Sequence, residues 1–130
     1  MPQFGRTSLE KLSTCHPDLQ KLFKEVIKHY DCTVLEGYRS EADQLKAFNA
    51  GKSKIKSGGM HNCKPSLAVD VAPWPVDWND KNRFYHFAGR VQGIAQMLGI
   101  KIRWGGDWDS DNVLKDQNFY DLPHFELSTD

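Results

Sequence analysis

Three residues of metal-binding type lie far apart in this sequence of 130 residues. His61 lies in a loop rich in Gly, Ser and Lys, Asp70 lies inside an apolar segment, and His124 lies near the end of the chain. Two imidazoles and one carboxylate are the ligand set of catalytic zinc sites that leave the fourth position to water. A lone histidine is more often an ordinary surface residue, so the combination of the three suggests the metal site.

Asp70 interrupts an apolar segment, residues 67–72, whose sequence Leu-Ala-Val-Asp-Val-Ala predicts a β-strand. Because successive side chains of a strand point to opposite faces, Asp70 points away from Val69 and Val71. It faces either solvent or a buried partner. A buried carboxylate without a partner is costly, and a metal ion, an arginine or a set of N–H donors would each serve.

Two further carboxylates flank His124. Asp121 precedes it by three residues, from where a carboxylate can act as general base on a metal-activated water and then as acid to the leaving amine. Pro123 argues against a helix here, and an ordinary turn residue is the alternative for Asp121. Glu126 follows His124 by two residues and shares its strand face, so it either accepts an imidazole N–H or faces solvent.

Arginine and cysteine residues add weaker candidates. Arg39 follows a predicted strand and a glycine, where a guanidinium can hold a substrate carboxylate or stabilise an anionic intermediate. The alternative is a surface arginine. Cys63 lies two residues after His61 and is a less favoured alternative zinc ligand. Because Cys15, Cys32 and Cys63 are odd in number and irregularly spaced, we expect free thiols.

The elements that must position these residues can be predicted from periodicity and capping signals. Helices are expected at 18–30, from apolar residues at helical spacing, at about 41–50, ended by Gly51, and at 81–98, ended by Gly99. Short strands are expected at 32–35, 67–72, 100–104 and 124–127. Irregular loops occupy 51–65 and 105–119. Helices and strands mix without a regular βαβ repeat, which predicts an α+β fold.

Composition narrows the class of protein. Lys+Arg and Asp+Glu each number 17, so the formal net charge is zero, and 39% of residues are hydrophobic. This balance excludes a disordered chain and argues against nucleic acid as the main partner. No apolar run reaches the ~20 residues of a membrane span, and the first residues lack the features of a secretory signal. We expect a single cytoplasmic domain that acts as a monomer.

Several ordered motifs resemble the zinc D-Ala-D-Ala metallopeptidase family, which includes D,D-carboxypeptidases, D,D-dipeptidases and phage L-alanyl-D-glutamate endopeptidases. The family signature, S-x-H-x-x-G-x-A-x-D and a distal acid-x-x-H, corresponds to residues 59–70 and 121–124. The G-Y-R-S segment at 37–40 with Gln44, and W-G-G-D-W at 104–108, resemble two further family elements. Residues 4–8 and the chain length resemble single-domain phage endolysins.

The chain departs from the signature at three points. Asp70 follows His61 by nine residues instead of seven, the signature glycine is replaced within 63–66, and Gly59 stands in place of the serine. The missing serine removes one hydroxyl contact to the substrate or the oxyanion. The two added residues between His61 and Asp70 are tolerable if they lengthen the loop before the strand that contains Asp70.

The resemblance implies a Hedgehog/D,D-peptidase-like fold, a small single domain with an antiparallel sheet and about three helices. It also implies that Zn²⁺ is bound by His61, Asp70 and His124. Asp121 would be the catalytic base, Arg39 would stabilise the scissile carbonyl or its oxyanion, and Gln44 would contact the substrate. Two neutral imidazoles and one carboxylate leave a zinc site with a net charge of +1, which favours an anionic intermediate.

The implied function is that of a phage endolysin that cuts the L-Ala–D-Glu bond of the peptidoglycan stem peptide and lyses the host. No residues are left for a separate cell-wall-binding domain, and a holin-like pore would be needed to reach the wall. The alternatives are a D,D-carboxypeptidase and a non-catalytic zinc- or wall-binding module.

The acidic stretch Asp107-x-Asp109-x-Asp111 is a further candidate cation site, with a solvated loop as the favoured alternative.

Overall fold

The computed structural model describes residues 2–51, 59–107, 110 and 121–128. These residues form an α+β fold, as predicted, with four α-helices where about three were expected. The elements in chain order are α1 (Arg6–Leu12), α2 (Pro17–Val26), β1 (Cys32–Glu36), α3 (Glu41–Asn49), a short 3₁₀ helix (Met60–Asn62), β2 (Ala68–Pro73), α4 (Lys81–Leu98), β3 (Ile102–Gly105) and β4 (Asp121–Leu127).

The four strands form one antiparallel sheet in the order β1-β2-β4-β3. The two central strands are β2 and β4, and their register places Asp70 directly opposite His124. On its other side, β2 pairs with β1, where Glu36 lies opposite Asp70. The sheet order therefore brings distant parts of the sequence to one place in the middle of the sheet.

The hydrophobic core fills the space between one face of the sheet and the helices α2 and α4. Val69 and Val71 of β2 point into this core and are fully buried. Phe125 of β4 packs edge-on against Phe23 of α2 and Phe87 of α4, with ring centroids 5.5 and 6.1 Å apart. Because side chains alternate along β2, Asp70 points to the opposite face of the sheet.

Local capping signals explain the bounds of α4. The side chain of Asp80 accepts a hydrogen bond from the backbone N–H of Arg83 and caps the first turn. Gly99 ends the helix in the left-handed conformation, with φ of 73°. The predicted helix 81–98 is confirmed. The helix predicted at 18–30 is shorter, because α2 ends at Val26 and the chain continues as turns, although Tyr30 still packs against the core.

Helix α1 was not predicted from the sequence. Its seven residues bury only Ser8 and Leu12, so they show no apolar periodicity. The helix is fixed instead by tertiary contacts: Ser8 Oγ accepts the backbone N–H of Val34 in β1 and lies 3.1 Å from Thr33 Oγ1. It therefore covers the edge strand of the sheet.

The predicted strands are confirmed with small shifts of their ends. The last strand begins at Asp121, three residues before its predicted start, and Pro123 lies inside it. Strand β3 begins at Ile102 and ends at Gly105. Within the described part of the chain, no helix is long and apolar enough to cross a membrane.

Candidate metal centre

The structure brings His61, Asp70 and His124 together on one face of the sheet. Asp70 and His124 are register partners across β2 and β4, and His61 approaches from the 3₁₀ helix. One candidate ligand atom from each residue lies within 4.8 Å of the other two. Both histidines are buried, and Asp70 is 14% exposed. These three side chains can together hold a metal ion.

Hydrogen bonds on the far side of each imidazole indicate which nitrogen faces the centre. His61 Nδ1 lies 2.7 Å from the backbone carbonyl of Gly37, an acceptor, so Nδ1 carries the proton. Its Nε2 is then available as a ligand, 3.2 Å from Asp70 Oδ1. In proteins a metal-binding histidine usually donates its other N–H to such an acceptor.

His124 has the reverse orientation. Its Nε2 lies 2.8 Å from Glu126 Oε1, and its Nδ1 lies 3.3 Å from Asp70 Oδ1. Glu126 is itself buried, and its other oxygen accepts a hydrogen bond from Arg103 at 2.8 Å. Of the two predictions for Glu126, contact with an imidazole is confirmed. The carboxylate orients His124 and raises the electron density on the nitrogen that faces Asp70.

Asp121 borders the cluster from the start of β4. Its Oδ2 lies 3.8 Å from His124 Nδ1, and its side chain is 24% exposed. Its backbone pairs closely with Gly105, where an added Cβ would collide with the carbonyl oxygen of Asp121. A side chain at position 105 would therefore displace Asp121. Burial, together with the negative charge of Asp70, raises the pKa of Asp121 to about 6.

The charges of Asp70 and of the imidazoles beside it stabilise each other. Burial favours protonation of Asp70, but the adjacent imidazoles of His124 and His61 outweigh it and hold the pKa of Asp70 well below its usual range. Burial favours the neutral form of His124, yet Asp70 and Glu126 raise its pKa to about 9. The carboxylates around the two imidazoles thus favour a bound positive charge at this position, such as that of a metal ion.

Arg39 is buried beside the cluster, unlike the surface arginine of the alternative interpretation. Its Nη2 lies 3.5 Å from Asp70 Oδ2, and Glu36 accepts two of its other N–H groups. Gln44 is 2% exposed, and its Oε1 accepts a hydrogen bond from Arg39 Nη1 at 2.9 Å. The predicted substrate residue Gln44 therefore lies behind Arg39. Glu36 was missed by the sequence analysis.

The other sequence-predicted candidates are Cys63 and the acidic stretch that begins at Asp107. Cys63 is half-buried and is not one of the grouped ligands found among the described residues. All three cysteines are free, as predicted. Of the acidic stretch, Asp107 is buried, and Asp109 and Asp111 lie outside the described residues, as does most of the predicted loop 105–119.

A cleft of about 620 Å³ opens beside the cluster. Asp70, Asp121 and Arg39 line it with Glu36 and Lys81. Its apolar walls are formed by Leu35, Ala47, Trp78, Phe84, Leu122 and Pro123. The ring of Trp78 stacks on Phe84 at 5.4 Å and is itself largely exposed. The cleft has the mixture of apolar wall and few polar groups that is typical of substrate sites.

Comparison with known proteins identifies the family. The model of the family described as phage L-alanyl-D-glutamate peptidase matches residues 1–128. The chain belongs to this family. It is 31% identical to the L-alanyl-D-glutamate peptidase of Escherichia phage T5 over 133 aligned positions, which cover 96% of this chain and 97% of the phage T5 protein.

Two bacterial relatives extend the similarity. The peptidoglycan L-alanyl-D-glutamate endopeptidase CwlK of Bacillus subtilis is 27% identical over 114 positions, which cover 77% of this chain and 62% of CwlK. The crystal structure of the Serratia marcescens L-Ala D-Glu endopeptidase ChiX superposes with a TM-score of 0.76 at 29% identity, covering 98% of this chain and 91% of ChiX. These matches confirm the family resemblance that the sequence motifs indicated.

Proposed function

We propose that this chain is a zinc-dependent endopeptidase that hydrolyses the L-Ala–D-Glu amide bond of the peptidoglycan stem peptide. The observation that carries the proposal is the buried His61–Asp70–His124 cluster with Asp121 beside it, at the edge of a substrate-sized cleft. Membership of the phage L-alanyl-D-glutamate peptidase family supports the choice of bond.

The donor set fits zinc. His61 would bind through Nε2, Asp70 through a carboxylate oxygen and His124 through Nδ1, because the other imidazole nitrogens already have acceptors in Gly37 and Glu126. Three protein ligands leave a position for water, as in catalytic zinc sites. Zinc in such a site lowers the pKa of its water toward ~7 and polarises a carbonyl oxygen.

Asp121 is the proposed general base. Its carboxylate would take a proton from the attacking water and deliver it to the nitrogen of D-Glu as the amide bond breaks. A position at the cleft, partly exposed and next to His124, suits this role. Burial at the cleft favours the neutral form of this carboxyl group, which makes its carboxylate a stronger base than that of an exposed aspartate.

Arg39 is the proposed electrophilic residue. It lines the cleft, and an N–H of its guanidinium can donate to the carbonyl oxygen of L-Ala as negative charge develops there. Gln44 is buried behind Arg39, so we propose that it assists the substrate contact by holding the guanidinium.

The biological setting is a further part of the proposal. A phage endolysin that accumulates in the host cytoplasm, reaches the wall through a holin-like pore and lyses the cell would use this activity. A peptidase domain that acts as a monomer is the corresponding organisation.

Digestion of purified peptidoglycan by the zinc-loaded protein tests the proposal. Mass spectrometry of the soluble products should show peptides with a new amino terminus at D-Glu, and a chelator should abolish them. Release of free D-Ala alone would replace the proposal with a D,D-carboxypeptidase. Tight zinc binding without any release would indicate a binding module, and an Asp121→Ala variant would then bind the wall as well as the parent chain does.

A further inference from the structure

An irregularity in strand β1 directs Glu36 toward the metal cluster. The pairing of β1 with β2 shifts between Val34 and Glu36, so that Val34 lies opposite Val71 and Glu36 lies opposite Asp70. Such a β-bulge contains one additional residue, here Leu35, and changes the side to which the following side chain points. Glu36 thereby comes to line the same cleft as Asp70 and Arg39.

Glu36 binds the guanidinium of Arg39 with both carboxylate oxygens. Arg39 Nε donates to Glu36 Oε1 at 3.0 Å, and Arg39 Nη2 donates to Glu36 Oε2 at 2.9 Å. This two-point geometry fixes the plane of the guanidinium as well as its position. The side chain of Arg39 is only 10% exposed, whereas that of Glu36 is 35% exposed. Glu36 therefore covers the side of the guanidinium that is nearer to solvent.

Other groups complete the arrangement around Arg39. Gln44 Oε1 accepts from Nη1 at 2.9 Å, and Asp70 Oδ2 lies 3.5 Å from Nη2. The backbone is held as well: the N–H of Arg39 donates to the carbonyl of His61, and its carbonyl accepts from the side chain of Asn62. The short segment that supplies His61 is therefore tied to the same arginine.

A count of donors shows what is left for a substrate. A guanidinium has five N–H groups. Glu36 takes two, Gln44 takes one and Asp70 takes one, which leaves a single N–H, on Nη1, with no acceptor among the described residues. Glu36 also balances the charge of Arg39.

We propose that Glu36 is a positioning residue for the reaction, one that holds Arg39 so that its remaining N–H is directed to the scissile carbonyl. The inference rests on the proposed function for its catalytic consequence, but the contact between the two side chains is independent of it. Glu36 acts through Arg39 and is not itself expected to touch the reacting atoms.

Kinetics of Glu36→Gln test the catalytic part. A glutamine side chain offers one acceptor oxygen, whereas the two N–H groups of Arg39 need two. We therefore expect kcat to fall about tenfold or more, with KM within about twofold and zinc content unchanged. The matched control is Glu10→Gln, because Glu10 also accepts from an arginine Nε, that of Arg6, but in a pair 66–93% exposed on the surface. A kcat of Glu36→Gln equal to that of the control would overturn the proposal.

NMR of the parent protein tests the positioning directly, whether or not the variant folds and whether or not any substrate is cleaved. A side-chain Nε–H of one arginine should exchange slowly with solvent and disappear in an Arg39→Lys variant. The absence of such a protected signal would refute the two hydrogen bonds between Arg39 and Glu36. A protected signal in a protein that cleaves no peptidoglycan would instead refute the proposed function and leave the contact intact.

Discussion

Replacement of Glu126 by Gln should weaken zinc binding although Glu126 is not a ligand. Glu126 is buried, and its two oxygens accept from His124 Nε2 and from Arg103, each at 2.8 Å. An amide has one acceptor oxygen and places an NH₂ where the second acceptor is required. One of the two donors therefore loses its partner, and His124 loses the negative charge that raises the basicity of Nδ1.

The expected size of the effect follows from this contact. Loss of an acceptor behind a metal-binding histidine typically reduces metal affinity 10–100-fold. Since each tenfold change corresponds to about 1.4 kcal/mol, the binding free energy should fall by about 1.4–2.8 kcal/mol. At saturating zinc, the stabilisation of the folded state should fall by the same amount, because the ion binds the folded chain alone.

Competition with a chromophoric chelator measures the zinc affinity of the parent chain and of Glu126→Gln under identical conditions. Glu25→Gln is the matched control, because Glu25 accepts from His29 at 2.9 Å but on the surface, away from the cluster. The control should bind zinc as the parent chain does. Equal affinities for the parent chain and Glu126→Gln would refute the assignment of His124 Nδ1 as a ligand supported by Glu126.

Four further outcomes are expected. Asp121→Asn should lower kcat by about 10²–10⁴-fold with zinc content unchanged, because the amide cannot accept the proton, and unaltered turnover would exclude Asp121 as the base. Chelation should lower the melting temperature, and an unchanged value would contradict a bound ion. Phe125→Ala should destabilise the fold by about 3–5 kcal/mol in urea denaturation, because the fully buried ring leaves a cavity between α2 and α4. Burial raises the pKa of Cys15 to about 11 and that of Cys32 to about 12, so at pH 8 a thiol reagent should modify the half-buried Cys63 first; rapid modification of all three would contradict the buried placement.

The parts of the fold that could be predicted are those in which local signals agree with tertiary packing. Helix α4 has a capping Asp80, apolar residues at helical spacing and a terminal Gly99, and its predicted bounds match the structure. Helix α1 has none of these signals, since its stability depends on the contact of Ser8 with strand β1, which is distant in sequence. No window of sequence around residue 8 contains that information.

The same distinction applies to the candidate site. His61, Asp70 and His124 were grouped from their chemistry and the family signature, and the structure brings them together. His61 lies in the 3₁₀ helix and Asp70 in β2, with the connecting segment 63–67 between them. The sequence could not assign Glu36 to the site, because the sheet face to which its side chain points depends on a bulge in the pairing of β1 with β2. A one-residue shift in register reverses the face of a strand side chain.

X-ray absorption spectroscopy of the protein loaded with one equivalent of zinc tests the central claim most directly. The proposed ligands predict a single shell of nitrogen and oxygen neighbours at about 2.0–2.2 Å, including two imidazoles, and no sulfur. A Zn–S distance of about 2.3 Å would place Cys63 in the site and contradict the assignment of His61, Asp70 and His124 as the complete set of protein ligands. Failure to retain zinc at all would contradict the metal centre itself.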